Sequence, residues 1–221
     1  MAYAIAIDGP AGAGKSTVAK RAAKELGFIY VDTGAMYRAM AVYFMEKGID
    51  TGDEKAVDKC LDSINIVIEY KDGIQQVILN KENVTLKLRD EAVGRTASVV
   101  SKYAGVRGKL LELQRSLAEK SDVIMDGRDI GTTVLPDAQV KIYLTASVTA
   151  RAQRRCDELT AKGEKADIDE IKADIENRDY QDMNREISPL KQAEDAVLLD
   201  TSDMDIEEVV EAVKKLASRK G

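Results

Sequence analysis

One stretch near the N-terminus constrains this chain more than any other, the nine residues Gly9–Thr17 (GPAGAGKST). An apolar, β-rich run, Tyr3–Ile7, precedes it and predicts a buried parallel strand. The residues after it, Val18–Leu26, predict a helix that ends at Gly27. A phosphate-binding loop requires this strand–loop–helix context, because small residues let consecutive backbone N–H groups turn toward phosphate oxygens. A Gly-rich turn that matches by chance is the alternative, and the flanking elements argue against it. The stretch predicts nucleotide binding.

Within this loop, individual residues have distinct expected tasks. Lys15 can reach the β- and γ-phosphates, and the Ser16 hydroxyl can coordinate Mg²⁺. The N-terminus of the following helix adds unpaired donors and the positive end of its dipole. The candidate ATP-binding residues are Gly9, Pro10, Ala11, Gly12, Ala13, Gly14, Lys15, Ser16 and Thr17.

Composition narrows the classes of partner and chemistry. A length of 221 residues suits one α/β domain with insertions or two small domains. The formal net charge of −6 argues against a nucleic-acid or anionic-membrane binder, so anionic ligands would need local clusters of Arg and Lys. The chain has no histidine, which excludes His-based triads and fits a reaction driven by positioning and charge neutralisation.

Other sequence features concern the compartment. Cys60 and Cys156 are far apart and outside any metal-like spacing, which favours a reducing compartment over a disulfide framework or a zinc site. No apolar run approaches membrane-spanning length, and the N-terminus leads straight into the first strand without a signal peptide. We therefore expect a cytoplasmic protein.

Polar residues follow the second predicted strand, Phe28–Val31, in the segment Asp32–Arg38 (DTGAMYR). Side chains at the carboxyl end of such a strand face the ligand-binding crevice of an open α/β sheet. Asp32 and Thr33 also suit a helix N-cap, and the two roles are compatible. The predicted helix runs to about Lys47, with Arg38 one turn into it.

The middle of the chain has a different character. Ile64–Tyr70 and Ile74–Leu79 flank an Asp-Gly turn and predict a hairpin, and Asn83–Leu88 predicts a third short strand of a small antiparallel sheet. We interpret this as a module inserted into an alternating β/α chain. Asp90–Lys120 predicts two helices, with Gly105 between them. They contain Ser98 and Arg107, which nothing in the pattern distinguishes from surface residues.

A second polar group follows the strand Val123–Met125, in the segment Asp126–Gly131 (DGRDIG). A carboxylate there can hold the water shell of Mg²⁺, and a tight turn that uses Asp and Gly is the alternative. Val140–Leu144 and Ala196–Leu199 predict two further buried strands, and Asp205 begins a capping box for the C-terminal helix.

Five buried runs separated by helices, with the phosphate-binding loop after the first, predict an α/β fold of the P-loop NTPase type. We expect three layers, with a five-stranded parallel sheet between two layers of helices, and an inserted small antiparallel β module.

Arginines at helical spacing occur twice in the C-terminal third. The first set, on one predicted helix face, is Arg151, Arg154 and Arg155. The second is Arg178 and Arg185 with Asp182, for which an ion-pair ladder on a solvated face is an equal alternative. A small-molecule kinase needs arginines that close over both substrates and neutralise transition-state charge. A switch GTPase would need a base-reading N-K-x-D, which is absent.

Taken together, GPAGAGKST, DTGAMYR, DGRDIG with Pro136–Ala138, and Asn177–Pro189 with its Arg-Asp-Arg spacing resemble the cytidylate kinases of the bacterial type. The resemblance covers essentially the whole chain. It implies transfer of the ATP γ-phosphate to CMP or dCMP, with Mg²⁺, in pyrimidine nucleotide metabolism. It also implies a single kinase domain over 1–221, with an acceptor-binding region at about 33–110 and a lid at about 147–165.

The resemblance further implies roles for particular residues. For the cytosine base these are Thr33, Arg107 and Asp129; for the acceptor phosphate, Arg38 and Arg128; for the sugar, Ser98, Arg178 and Asp182; for the phosphates, Arg185. The implied lid residues are Arg151, Arg154 and Arg155, and the implied catalytic residues are Lys15, Arg128, Arg151, Arg155 and Arg185. Ser16 would bind Mg²⁺, with Asp126 acting through water. The expected partners are ATP and CMP or dCMP, without nucleic acid or membrane, and the expected state is a monomer.

Two rival functions stay open at this point. One is a kinase of another small acceptor, such as shikimate or a different nucleoside monophosphate. The other is a regulatory protein that binds ATP without useful turnover.

Overall fold

The computed structural model describes residues 2–218. Its strands are β1 Ala4–Asp8, β2 Ile29–Asp32, β3 Ile66–Lys71, β4 Ile74–Leu79, β5 Glu82–Asn83, β6 Val123–Gly127, β7 Val140–Thr145 and β8 Val197–Asp200. Its α-helices are α1 Lys15–Leu26, α2 Thr33–Glu46, α3 Glu54–Asp58, α4 Glu91–Val100, α5 Ala104–Lys120, α6 Val148–Ala161, α7 Ile168–Asn184 and α8 Ile206–Ser218. None of the helices in this range combines the length and the hydropathy needed to cross a bilayer.

The chain forms two compact units. The first contains the chain up to Tyr30 and the chain from Ser121 onward, and the second is the continuous segment Val31–Lys120. The boundary falls within β2. The predicted acceptor-binding region, 33–110, lies in the second unit.

A five-stranded sheet in the order β2-β6-β1-β7-β8 is the basis of the first unit, which confirms the predicted sheet. β1 is its central strand and pairs in parallel with β6 and with β7. All five of its side chains are buried, as expected for a strand covered on both faces. α1 packs against α8 and β6, and Ile5, Ile124 and Val213 belong to the resulting core.

The last strand of this sheet differs from its prediction. β8 forms as expected and pairs in parallel with β7, but Val197 and Leu198 are 43% and 55% exposed. The expectation of a buried strand was wrong because β8 lies at the sheet edge, where only one side has a neighbouring strand. A run of apolar residues indicates a strand, but the position of that strand in the sheet determines how far its side chains are buried. The capping box at Asp205 is confirmed by its exchange of hydrogen bonds with Glu208, at 2.8 and 2.9 Å.

The second unit contains the predicted antiparallel module, β3-β4-β5. Asp72 and Gly73, at φ 53° and 74°, form the two-residue turn that joins β3 to β4, as a type I′ hairpin requires. The third strand is only Glu82–Asn83, shorter than expected, and the chain continues into a 3₁₀ turn at Lys87–Arg89. α2 packs against β4 and also against α4 and α5.

The two helices expected over Asp90–Lys120 are present as α4 and α5, but the break lies at residues 101–103. Gly105 is inside the first turn of α5. A Cβ atom at Gly105 would collide with the side chains of Asp58 and Leu61. The glycine therefore permits a close packing contact and does not end a helix.

Candidate active site

The phosphate-binding loop connects β1 to α1 and is shaped by its backbone. Gly9 has φ 151°, and a Cβ atom there would collide with the carbonyl oxygen of Leu144 on β7. Gly14, at φ 86°, is the N-cap of α1 and provides no side chain to its first N–H groups. Those N–H groups and the positive end of the helix dipole can therefore bind an anion.

Lys15 is the first residue of α1, directly after the turn of the loop. Its Nζ donates a hydrogen bond to the carbonyl oxygen of Pro10 at 2.7 Å, and the residue is buried. Burial and the nearby Arg128 guanidinium hold the pKa of Lys15 well below its usual range, although Asp126 and Asp8 act in the opposite direction. A phosphate bound to the loop would supply the negative charge that favours the ammonium form.

The Ser16 hydroxyl and the Asp126 carboxylate lie side by side. The Ser16 hydroxyl donates to Asp126 Oδ2 at 2.7 Å, and the Tyr30 hydroxyl donates to Asp126 Oδ1 at 3.0 Å. One hydroxyl and one carboxylate form a small set of hard ligands. That set fits Mg²⁺, which keeps several waters and takes its other ligands from substrate phosphates.

Arg128, Asp129, Asp182 and Arg185 form an ionic cluster between the turn after β6 and α7. Arg128 Nε donates to Asp182 Oδ2 at 2.8 Å, and Arg185 lies 3.5 Å from Asp129 Oδ1 and 3.9 Å from Asp182 Oδ1. The side chains of Asp182, Asp129 and Arg185 are buried. Burial alone would raise the pKa of Asp182, but Arg128, Arg185 and Arg178 outweigh it and hold that pKa below its usual value. Because Asp182 and Arg185 are buried, they do not belong to a solvated ion-pair ladder. That alternative fits only Arg178, which is exposed.

Arg151, Arg154 and Arg155 follow one another on α6 but have different partners. Arg151 is 4% exposed, donates to the carbonyl oxygens of Ala11 and Ala146 at 2.8 and 2.9 Å, and pairs with Asp179 at 2.7 Å. The other Asp179 oxygen accepts from the Ala11 N–H at 3.3 Å.

The remaining two arginines of the set are less buried. Arg154 donates to Thr201, and Arg155 pairs with Glu158 at 2.9 Å. The three side chains therefore do not form one open cationic face. Their catalytic and lid roles stay predictions. Arg151 and Asp179 together hold the backbone of Ala11 in the phosphate-binding loop.

The other predicted acceptor residues lie in the second unit, at the start of α2 and near it. Asp32 caps α2 by accepting from the Ala35 N–H at 2.9 Å, and its second oxygen accepts from Arg38 at 2.8 Å. Thr33 is buried in the same turn. Arg107 lies over the Tyr37 ring, 5.6 Å from its centroid, and donates to the Ser101 carbonyl oxygen at 3.0 Å. Ser98 is half-buried on α4.

Sequence reasoning missed two buried carboxylates, Asp8 and Asp179. Asp8 ends β1, and its two oxygens accept the N–H groups of Ile130 and Gly131 at 2.8 and 2.7 Å. The rule that pointed to Asp32 and Asp126, a polar residue at a strand's carboxyl end, applies equally to Asp8. Asp179 had no such signal, because exposed polar residues flank it on α7.

Asp8 should make the protein less stable as the pH rises. Burial raises the pKa of Asp8 from 3.8 to about 6, although the N–H groups of Gly131 and Ile130 act in the opposite direction. Because the folded state holds this proton more tightly than the unfolded state does, the favourable contribution is present at low pH and is lost as the pH rises through about 6. Between pH 7 and pH 5, the free energy of unfolding of the wild type should gain about 1 kcal/mol relative to Asp8→Asn. Urea denaturation at both pH values measures this, and a constant difference would show that Asp8 ionises normally.

Comparison with known proteins decides the family. The family model described as cytidylate kinase matches residues 5–219. The chain belongs to the cytidylate kinase family. A cytidylate kinase of Lactobacillus johnsonii is 51% identical over 216 residues, which cover 98% of this chain and 94% of the relative. One of Caldicellulosiruptor saccharolyticus is 49% identical over 212 residues, covering 96% and 94%.

Solved structures show the fold that this cytidylate kinase family member shares with other kinases. A shikimate kinase from Bacteroides thetaiotaomicron matches with a TM-score of 0.51 and 14% identity, covering 98% of each chain. A gluconokinase from Sinorhizobium meliloti matches with a TM-score of 0.50 and 14% identity, covering 98% of this chain and 92% of that one. At such low identity the likeness concerns the fold alone, and the predicted P-loop kinase fold is confirmed.

Proposed function

We propose that this chain transfers the γ-phosphate of ATP to CMP or dCMP and gives ADP and CDP or dCDP. One structural observation carries the proposal beyond the family. The phosphate-binding loop, which would bind the donor ATP, and the Arg128–Asp129 turn follow adjacent parallel strands, since Asp8 of β1 pairs with Gly127 of β6. Carboxyl ends of neighbouring parallel strands share one sheet edge, so a triphosphate and an anionic acceptor can be bound side by side.

On the donor side, the loop N–H groups and the α1 N-terminus bind the phosphates and Lys15 reaches the transferred group. Ser16 and Asp126 would hold Mg²⁺, Asp126 through water, and the bound ion would supply neutralisation of phosphate charge. The Arg151–Asp179 pair keeps the loop in place, because it bonds both polar backbone groups of Ala11.

The acceptor residues belong to two sets. In the first unit we assign Arg128 and Arg185 to phosphate, Asp129 to the base, and Arg178 and Asp182 to the sugar. In the second unit we assign Arg38 to phosphate, Thr33 and Arg107 to the base, and Ser98 to the sugar. The nucleophile would be an acceptor phosphate oxygen that is already ionised, so the reaction needs no general base, as suits a chain without histidine.

The proposal includes a mobile lid at residues 147–165. It also includes a monomeric state, a cytoplasmic location and the absence of nucleic-acid or membrane partners. A lid would exclude water and so prevent ATP hydrolysis.

The test is a panel of acceptors. The protein is incubated with ATP, Mg²⁺ and, separately, CMP, dCMP, UMP, AMP, GMP and shikimate, and ADP release is followed. We expect CMP and dCMP to give by far the highest kcat/KM. Turnover of a different acceptor would support the rival kinase, and ATP binding without any turnover would support the regulatory alternative.

A further inference from the structure

We propose that Asp8 is a positioning residue for the acceptor. It fixes the turn that carries Arg128 and Asp129 and thereby sets the affinity for CMP. This inference rests on the proposed function and assigns a role to a residue outside the resemblance motifs.

The first support is geometry. Asp8 is 5% exposed, and each of its oxygens accepts one of two consecutive backbone N–H groups, those of Ile130 and Gly131. Two bonds to neighbouring donors fix the orientation of the peptide as well as its distance. An ionised carboxylate is an acceptor only, so both of its oxygens suit these donors.

The second support is the shape of the turn. Residues Ile130–Val134 form one π-helical turn, with the Leu135 N–H donating to the Ile130 carbonyl oxygen at 2.7 Å. Single π turns are rare and occur frequently at functional sites. The first N–H groups of a helical turn have no partner within it, and here Asp8 supplies the acceptors from another strand.

Side chains pack closely around Gly131, whose N–H donates to Asp8 Oδ2. A Cβ atom at Gly131 would lie 3.2 Å from Lys141 Cδ and 3.4 Å from Asp8 Oδ2. The contact with Lys141 is tight and the one with Asp8 is an ordinary van der Waals contact, so an added methyl group must move either the Lys141 side chain or the turn. The absence of a side chain at Gly131 thus permits the short N–H···O contact.

The consequence differs for the two substrates. Arg128 and Asp129 immediately precede Ile130. The Arg128 side chain contacts Asp182 on α7, and the Asp129 side chain contacts Arg185, directly after that helix. Loss of the Asp8 bonds would therefore disturb the acceptor residues. The donor loop has its own attachments, from Lys15 to Pro10 and from Arg151 and Asp179 to Ala11.

The decisive variant is Asp8→Asn, which keeps the shape but places an NH₂ group against one backbone N–H. We expect the KM for CMP to rise roughly tenfold, with the KM for ATP changed by less than about threefold. Thr132→Val is the matched control. It lies in the same turn, and its buried hydroxyl has no hydrogen-bond partner within residues 2–218, so its KM for CMP should stay at the wild-type value.

Gly131→Ala is a second variant, which keeps the Asp8 carboxylate and crowds the turn against Lys141 and Asp8. It should raise the KM for CMP in the same direction, which keeps the proposal testable if Asp8→Asn does not fold. Equal changes in both KM values, or an unchanged KM for CMP in either folded variant, would overturn it. If the wild type itself does not phosphorylate CMP, the proposed function fails instead, and the two failures are therefore distinguishable.

Discussion

Lys15→Met should lower kcat by about three orders of magnitude while the protein stays folded. The ammonium group is expected to bind the transferred phosphoryl group more strongly in the transition state than in the ground state. Methionine keeps much of the length of the lysine side chain. It also removes a charge whose burial is unfavourable, as the lowered pKa of Lys15 indicates. The fold should therefore survive, and steady-state kinetics with circular dichroism and urea denaturation measure both effects.

The matched control is Lys20→Met, on the same helix but exposed to solvent. It removes the same charge from α1 and should leave kcat within about twofold of the wild type, as a surface substitution away from the site does. A folded Lys15→Met protein with nearly normal turnover would contradict the role of Lys15. A large loss in Lys20→Met would show that net charge, and not position, is responsible.

Asp129→Asn should lower the ratio of kcat/KM for CMP over UMP by about a hundredfold, mainly through loss of activity with CMP. Cytosine donates from its amine at position 4, whereas uracil accepts at that position, so an ionised carboxylate matches cytosine and repels uracil. The asparagine amide can turn and donate to the uracil carbonyl. Asp129 is buried, so a mismatch there leaves a polar group unpaired.

The structure also supplies the competing explanation for Asp129, its contact with Arg185 at 3.5 Å. Asp182→Asn separates the two, because Asp182 pairs with Arg128 and Arg185 but is assigned to the sugar. That variant should reduce activity with CMP and UMP alike. If Asp129→Asn behaves in the same way, Asp129 supports Arg185, and base selection rests on Thr33 and Arg107.

What the sequence could predict depended on local chemistry. The G-x4-G-K-S spacing sets the phosphate-binding loop, and the Asp72–Gly73 pair sets the hairpin, because each acts through backbone conformations of a few adjacent residues. The polar residues after β2 and β6 were found because they end apolar strands. All of these signals lie within short windows of sequence.

What the sequence could not predict depended on distant neighbours. Helical spacing placed Arg151 with Arg154 and Arg155, but burial and the partners Ala11 and Asp179 distinguish it from them. Gly105 was predicted to separate two helices, because the sequence does not show that it packs closely against Asp58 and Leu61. The carboxylate oxygens of Asp8 accept from a residue, Ile130, that is 122 positions further along the chain.

The order of strands has a consequence for the synthesis of this protein on the ribosome. β1 leaves the ribosome first, yet its partners β6 and β7 are made more than a hundred residues later, with Ala4 pairing to Val123 and Ile5 to Val140. The segment Val31–Lys120 is continuous and has its own internal contacts, so it can begin to fold while β1 still lacks neighbours. Closing the first unit then requires long-range pairing, which is the slow kind. The nucleotide-binding loop is therefore encoded early but acquires its final shape only after the sheet around β1 has assembled.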